Sequence, residues 1–443
     1  MTLAVALPQL TEEDPEVAGE GSIDPLGLAP LSELLGELLL PGITNRMRRP
    51  RLLTAMAVGA VATDGLEESI EPADGRSTPS VCFEWLVLEA LVDRQQHLPP
   101  DAMRQVPGSA KVRAAAERRE PLSSGNYLKT PNVFGFTGVL LPWARSCGVL
   151  DRQRRPAERA PALIEVWEAE CGNTGYLSGA RSTPGGELRS DIRGAVEQAL
   201  RNGRSSAGRS LRTRIAAALR PDGAGPDEKR WLRRALTPDG STAAEIADLG
   251  RRNLPRSQDP TALDDRELLT AIRPGSSRDL RARVDAIVRY EAVATRLETV
   301  LSEWQWRSTL NGLTPTTAGQ VGRSDPVVAA AAGLHDAISA AREALDQLDP
   351  DMLAVFDALV AELDGVHSPV ELAERVMAHH EVIQSKKPPH GKRPWFEPAG
   401  AGSSDGLVVR SNYRLDGPPL STFDHFGRPY RVAAFMSMLR ELR

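Results

Sequence analysis

Residues 277–310 read SRDLRARVDAIVRYEAVATRLETVLSEWQWRSTL, and within them Leu280, Val284, Ile287, Ala294, Leu297, Leu301 and Trp304 fall on one stripe at helical spacing. A single helix of ~30 residues is long for a globular domain and predicts a spine or a coiled-coil-like hairpin. The helical pattern begins near residue 264 and continues past the stretch, with a second hairpin over 325–348 and 351–363. Ser368, Pro369, Val370 and Glu371 then read as a capping box with Pro at the first helical position, opening a helix to about residue 384. Beyond it Pro388, Pro389, Pro394 and Pro398 break the chain, 406–414 reads as one strand, and 430–442 as a terminal helix with Val432, Phe435, Met438 and Leu439 inward.

Toward the N-terminus, Leu31, Leu34, Leu35, Leu38 and Leu39 predict a short amphipathic helix stopped by Pro41 and Gly42. Leu52, Leu53, Met56 and Val58 predict a helix apolar on most faces, which is normally buried. Residues 81–93 give another, whose few polar members are Glu84 and Glu89. Around Tyr127, Phe134, Phe136 and Trp143 the neighbours Val133, Val139, Leu140 and Leu141 mark a core segment rather than a base-stacking platform. That segment ends at Cys147 and Gly148 before the basic turn of Arg152, Arg154 and Arg155, the outline of a winged-helix-like unit. No alternation of strands and helices that would build a parallel sheet is present, so the fold class is mainly α: multi-helical, with a long helical hairpin region and a minor β element near the C-terminus. The segments divide as a disordered acidic tail (1–24), an N-terminal helical domain (25–170), a basic, loop-rich middle region (171–263), a long-helix domain (264–385) and a basic Pro-rich end (386–443).

The chain has 443 residues and a net charge of −5, which excludes a globally basic nucleic-acid coat. Three cysteines, Cys82, Cys147 and Cys171, are too few and too scattered for a disulfide framework or a four-ligand zinc site, and Cys147 and Cys171 read as small buried apolar groups. No apolar run approaches the ~20 residues that span a bilayer, and the first 43 residues carry eight acids and no Lys or Arg, unlike a secretory leader. The expectation is a cytoplasmic protein with no membrane, metal or cofactor. Six Lys stand against 48 Arg, so arginine-rich faces carry less weight than they would against a lysine background.

No phosphate-cradling glycine loop, H-E-x-x-H or G-x-S-x-G occurs. The densest constellation is His379, His380, Lys386, Lys387, His390, Lys392, Arg393, Trp395 and Glu397, which gathers three of the seven His and half of all Lys. It reads as an anion or phosphate site in which Lys supplies point charge, Trp395 a stacking face and His a titrating group. The alternative is a solvated connector with Lys386 and Lys387 facing the negative end of a helix. Within it, HGKRPWFE matches the H-x-K part of the phospholipase D signature, with Glu397 where that family has Asp. His390, Lys392 and Glu397 are thus the catalytic candidates, although that chemistry needs two such motifs and only one is present. Arg46, Arg48, Arg49 and Arg51 could present guanidiniums to nucleic-acid phosphates or pair with the acids of residues 1–43. Residues 201–234 hold ten Lys or Arg against three acids, either a backbone-binding patch or a solvated amphipathic helix with Leu211, Ile215 and Leu219 inward. STAAEIADLGRRNL, residues 241–254, has a helix-turn-helix cadence.

The strings DPLGLAPLSELLGELLLPGITNRMRRPRLLTAMAVGAV (24–61) and NYLKTPNVFGFTGVLLPWARSCGVLD (126–151), with the 390–395 tail, resemble uncharacterised bacterial, actinobacterial-like proteins of phage-defence islands. That resemblance implies a setting, an accessory protein of a defence or restriction-like cassette, and assigns no residue a role. The expectation is a non-enzymatic protein that binds DNA backbone, or a nuclease or helicase partner encoded nearby, through Arg46, Arg48, Arg49, Arg51, Lys386, Lys387, Lys392, Arg393 and Trp395. The alternatives are a phosphodiesterase or nuclease centred on His390, and a helical scaffold that forms a homo-oligomer.

Overall fold

The computed structural model describes residues 24–95, 103, 105–254, 263–312, 314–388, 390–398, 406–419, 423 and 425–443. The acidic tail up to residue 23 lies outside the described residues. Among those described, the protein is mainly α, with nineteen α-helices and one two-stranded antiparallel sheet near the C-terminus. No described helix is long and apolar enough to cross a membrane.

The described residues divide into two units, neither a continuous segment. The first joins residues 24–39 to Asp264–Tyr430. Its spine is the helix Arg278–Asn311, about 51 Å at about 1.5 Å per residue, opened by the Ser277 hydroxyl, which accepts from Leu280 N at 3.2 Å. All seven stripe residues are buried. Against the spine pack Ala29–Leu39, Asp325–Ala332, Leu334–Asp346 and Pro369–Lys386. Two polar groups fix this packing: Tyr290 Oη donates to Leu28 O at 2.6 Å and Trp304 Nε1 to Ala373 O at 3.0 Å.

Several elements differ from the sequence reading. Residues 325–348 form two helices, because Gly333 breaks them and a Cβ there would meet the Arg296 guanidinium at 2.7 Å. The box at Ser368 is half formed: its hydroxyl accepts from Glu371 N at 3.2 Å, but the Glu371 carboxylate accepts from His367 N at 2.9 Å rather than from the cap residue. The strand expected over 406–414 is only Leu407–Val409, and Phe396–Pro398 pairs with it in the register Phe396 to Val409. Pro398 is tolerated because its opposite residue, Leu407, exchanges both of its backbone bonds with Thr316 on the other side at 2.9 Å, so no N–H is demanded of Pro398. Residues 25–39 belong with the long helix rather than with 40–170, since Leu31, Leu35 and Leu39 bury their faces in the first unit.

The second unit comprises Leu40–Leu263 and Arg431–Arg443. Leu52–Thr63 is buried on nearly every face and packs against Pro79–Asp93; around the two lie Phe136–Ser146, Ala160–Glu170, Pro184–Asn202 and Arg209–Leu219. Gly59 permits the close crossing, since a Cβ there would fall 2.4 Å from the Phe83 ring. Tyr127, Phe136 and Trp143 are core, whereas Val133 is 58% exposed and Phe134 half-buried. No wing of paired strands follows Gly148: a single bridge, Leu150 to Pro156, closes a tight loop whose Arg154 (φ 63°) turns back to Asn132 Oδ1 at 2.7 Å. The helix-turn-helix cadence is likewise one uninterrupted helix, Thr242–Asn253, that runs through Gly250, which packs on Met436 of Val432–Glu441.

Candidate functional site

The lysine-rich constellation falls on the loop that links the C-terminal end of Pro369–Lys386 to the first strand. Its two helical histidines are structural. His380 is fully buried; its Nδ1 lies 2.9 Å from Pro25 O and its Nε2 accepts from Trp395 N at 3.0 Å. One donor and one acceptor nitrogen describe a neutral imidazole. Burial accordingly pulls its pKa down to about 4. His379 places Nε2 2.9 Å from Leu26 O, and burial lowers its pKa too. Burial thus works against the charged form of both rings.

Trp395 does not offer the expected stacking face. Tyr413 lies parallel to it at 4.6 Å with 10° between the planes, and His380 meets it edge-on at 5.6 Å. Its rings are a fold contact, with Phe396 carrying the packing on to Trp304. Glu397 pairs with Arg410 at 3.0 Å across the sheet, and Lys387 Nζ donates to Asp24 O. Lys386, His390 and Arg393 are exposed, and Lys392 is half-buried. Backbone bonds Lys392 N to Gln384 O at 2.8 Å and Gly391 N to Lys387 O at 2.6 Å hold the turn, with Gly391 at φ 83°. The loop therefore presents cations as point charges on a pinned backbone.

The Arg46–Arg51 group, in the second unit, is turned inward. Arg51 is 2% exposed; its Nε lies 3.1 Å from both oxygens of fully buried Glu228, its Nη1 donates to Arg220 O at 2.6 Å and its Nη2 to Cys171 Sγ at 3.2 Å. Arg49 pairs with Glu441, Arg48 donates to Asn45 O and Met47 O, and the Arg46 guanidinium sits 4.2 Å above the Phe134 ring. Among the described residues the acids that receive Arg51 and Arg49 are Glu228 and Glu441, on distant helices; five of the eight acids of residues 1–43 lie outside the described residues. In 201–234, Ile215 and Leu219 are buried and Leu211 half-buried, as an amphipathic helix requires. Arg212 lies 3.0 Å from Asp93, Arg214 pairs with Asp191, and Arg220 with Asp222 at 2.7 Å.

Three acids that the sequence reading did not single out acquire structural roles. Glu84 accepts from Tyr127 Oη, from Thr137 N at 2.8 Å and from Thr137 Oγ1 at 2.6 Å, standing in for a cap at the start of Phe136–Ser146; burial still pushes its pKa up to about 7. In the first unit, Arg428 bridges Glu291 (2.8 Å) and Glu298 (2.7 Å) on the spine, and Gly427 N donates to Glu291 at 2.8 Å. Their i, i+7 spacing was the available signal. Burial raises the Cys82 thiol to about 12 and the Cys147 thiol to about 11; Cys171 is half-buried and raised as well, so none is a ready thiolate. Among the described residues no group of three or more His, Cys, Asp or Glu is placed to hold a metal.

Comparison with known proteins yields no matching family model, no matching curated protein and no matching solved structure.

Proposed function

We propose that this is a cytoplasmic, non-catalytic protein that holds a phosphodiester backbone, DNA in the first instance, at the 386–393 loop. The observation that carries the reading is the exposure of Lys386, His390 and Arg393 on one short, hydrogen-bonded turn, beside half-buried Lys392. Half of the chain's six Lys are in this segment, so codon bias toward Arg does not account for it. Arg51 and Arg49 are engaged by Glu228 and Glu441, which leaves these two guanidiniums less available to phosphate. With its aromatic faces occupied, the loop reads charge rather than base, and duplex and single strand bind it alike. The resemblance to defence-island proteins supports a role in an antiviral cassette, as an accessory to a nuclease or helicase.

The test is an electrophoretic shift with labelled duplex and single-stranded DNA at about 50 and about 200 mM salt, where a few phosphate contacts already give a steep loss of affinity. Binding that falls with salt and is lost in Lys386→Ala/Arg393→Ala supports the reading. No shift by the wild type at the lower salt refutes it and directs attention to a protein partner or to self-association.

A further inference from the structure

A second site lies in the other unit, in a pocket of about 320 Å³ beside the C-terminal half of Pro79–Asp93. That volume is within the ~300–1,000 Å³ of ordinary small-molecule sites. Glu89, Val92 and Asp93 come from that helix, Val112 and Ala115 from Ser109–Glu117, and Leu122 from the turn that follows.

The charges lining it are not equivalent. Arg212 and Asp93 lie 3.0 Å apart and neutralise one another. Glu120 lies on the rim and pairs with Arg118 at 3.0 Å, and Arg119 is exposed beside it. Glu89 is half-buried, and the partners of its carboxylate are neutral: Leu122 N donates to Oε1 at 3.0 Å and Ser205 Oγ to Oε2 at 2.6 Å. Among the described residues no Lys, Arg or His forms an ion pair with it. Each oxygen accepts one of these bonds and keeps a second lone-pair direction for a ligand. A carboxylate withdrawn from water without a counter-charge is costly, and a cation in the adjacent space relieves that cost. Of the apolar lining, Val92 is half-buried and faces the space, whereas Val112, Ala115 and Leu122 are at most 2% exposed and only close the floor beneath it.

We propose that this pocket binds a small organic ammonium ion, its charge on Glu89 and its short hydrocarbon beside Val92. Neither the 386–393 loop nor a phosphate ligand takes part, so the two proposals stand or fall separately. A neutral isostere would forfeit the charge, and an anion of the same size would be repelled by Glu89.

The experiment is calorimetric titration of the full chain with agmatine, putrescine and tyramine, against 1-butanol and butyrate as neutral and anionic counterparts. The expected result is saturable binding of at least one ammonium probe, no heat from butanol or butyrate, and a loss of about tenfold or more in Glu89→Gln, which keeps an acceptor for Leu122 N. Ala116→Phe, at the exposed rim, narrows the pocket while the Glu89 hydrogen bonds stay in place, and is expected to weaken the same probe should Glu89→Gln fail to fold. Exposed Glu68→Gln, which lies outside the pocket, serves as the unaffected control. Butyrate binding as well as the amines, undiminished binding in Glu89→Gln or Ala116→Phe, or no heat from any amine at about 10 mM overturns the proposal.

Discussion

Replacing Arg51 by Met removes the countercharge of Glu228 and keeps most of the side-chain volume. Glu228 is fully buried, and of its partners only Thr54 Oγ1, at 2.6 Å, remains. Breaking a buried pair on one side costs about 3–5 kcal/mol, because the surviving carboxylate has lost water and gained nothing. At roughly 2–4 °C per kcal/mol for a unit of this size, the melting transition should fall by about 6–20 °C. Glu228→Gln alone should also destabilise, by leaving the guanidinium without its charge partner. The Arg51→Met/Glu228→Leu double variant should recover part of the loss, since replacing both charges by apolar groups is often neutral. The assay is thermal unfolding by circular dichroism for all four proteins, with DNA binding measured in parallel below the transition. A shift of less than about 3 °C in Arg51→Met, combined with a loss of DNA affinity, would refute the reasoning and return Arg51 to the surface as a phosphate contact.

The remaining predictions concern charge, stacking and pH. Lys386→Ala and Arg393→Ala should each lower the slope of log affinity against log salt by about 0.9 on duplex DNA, read from binding isotherms. Trp395→Leu should lower the melting temperature through the lost Tyr413 stack and the disturbed His380 edge, with single-strand and duplex affinity changing in equal proportion; a selective single-strand loss would restore the base-stacking reading. Glu84 holds its proton more tightly when folded, at about 7 against an ordinary 4.5, so the second unit loses stability as pH rises through that window, by roughly 3 kcal/mol in all. His380 is depressed from 6.5 to about 4, so the first unit loses stability as pH falls through that window. Hydrogen exchange followed by mass spectrometry at pH 5 and pH 7 should move in opposite directions in the two units, and Glu84→Gln should flatten the second unit's response.

Local order was legible in the sequence for physical reasons that act within a few residues. The stripe from Leu280 to Trp304 repeats at the helical period, and the structure buries every member of it. The all-apolar run of Leu52–Thr63 could only be an interior helix, and it is one. Pro388, Pro389, Pro394 and Pro398 marked where helices stop, although the partner strand Phe396–Pro398 was hidden among them because a three-residue strand has no periodicity to detect. The lysine concentration at 386–392 was visible as composition, and Lys386 with its neighbours His390 and Arg393 reaches solvent.

Whether a charge is a tool or a tie depends on residues far along the chain. Arg51 meets Glu228, 177 positions away, and His380 meets Pro25, 355 positions away. Trp395 looked like a free aromatic until Tyr413 was stacked on it, and Glu89 looked like a minor polar member of an apolar helix until a turn and a linker closed around it. Periodicity and caps are properties of neighbouring residues, so the sequence alone determined the helices and their buried faces. Burial, ion pairing and the walls of a pocket arise only when distant segments meet, so the tertiary structure decided which cations remain for a ligand.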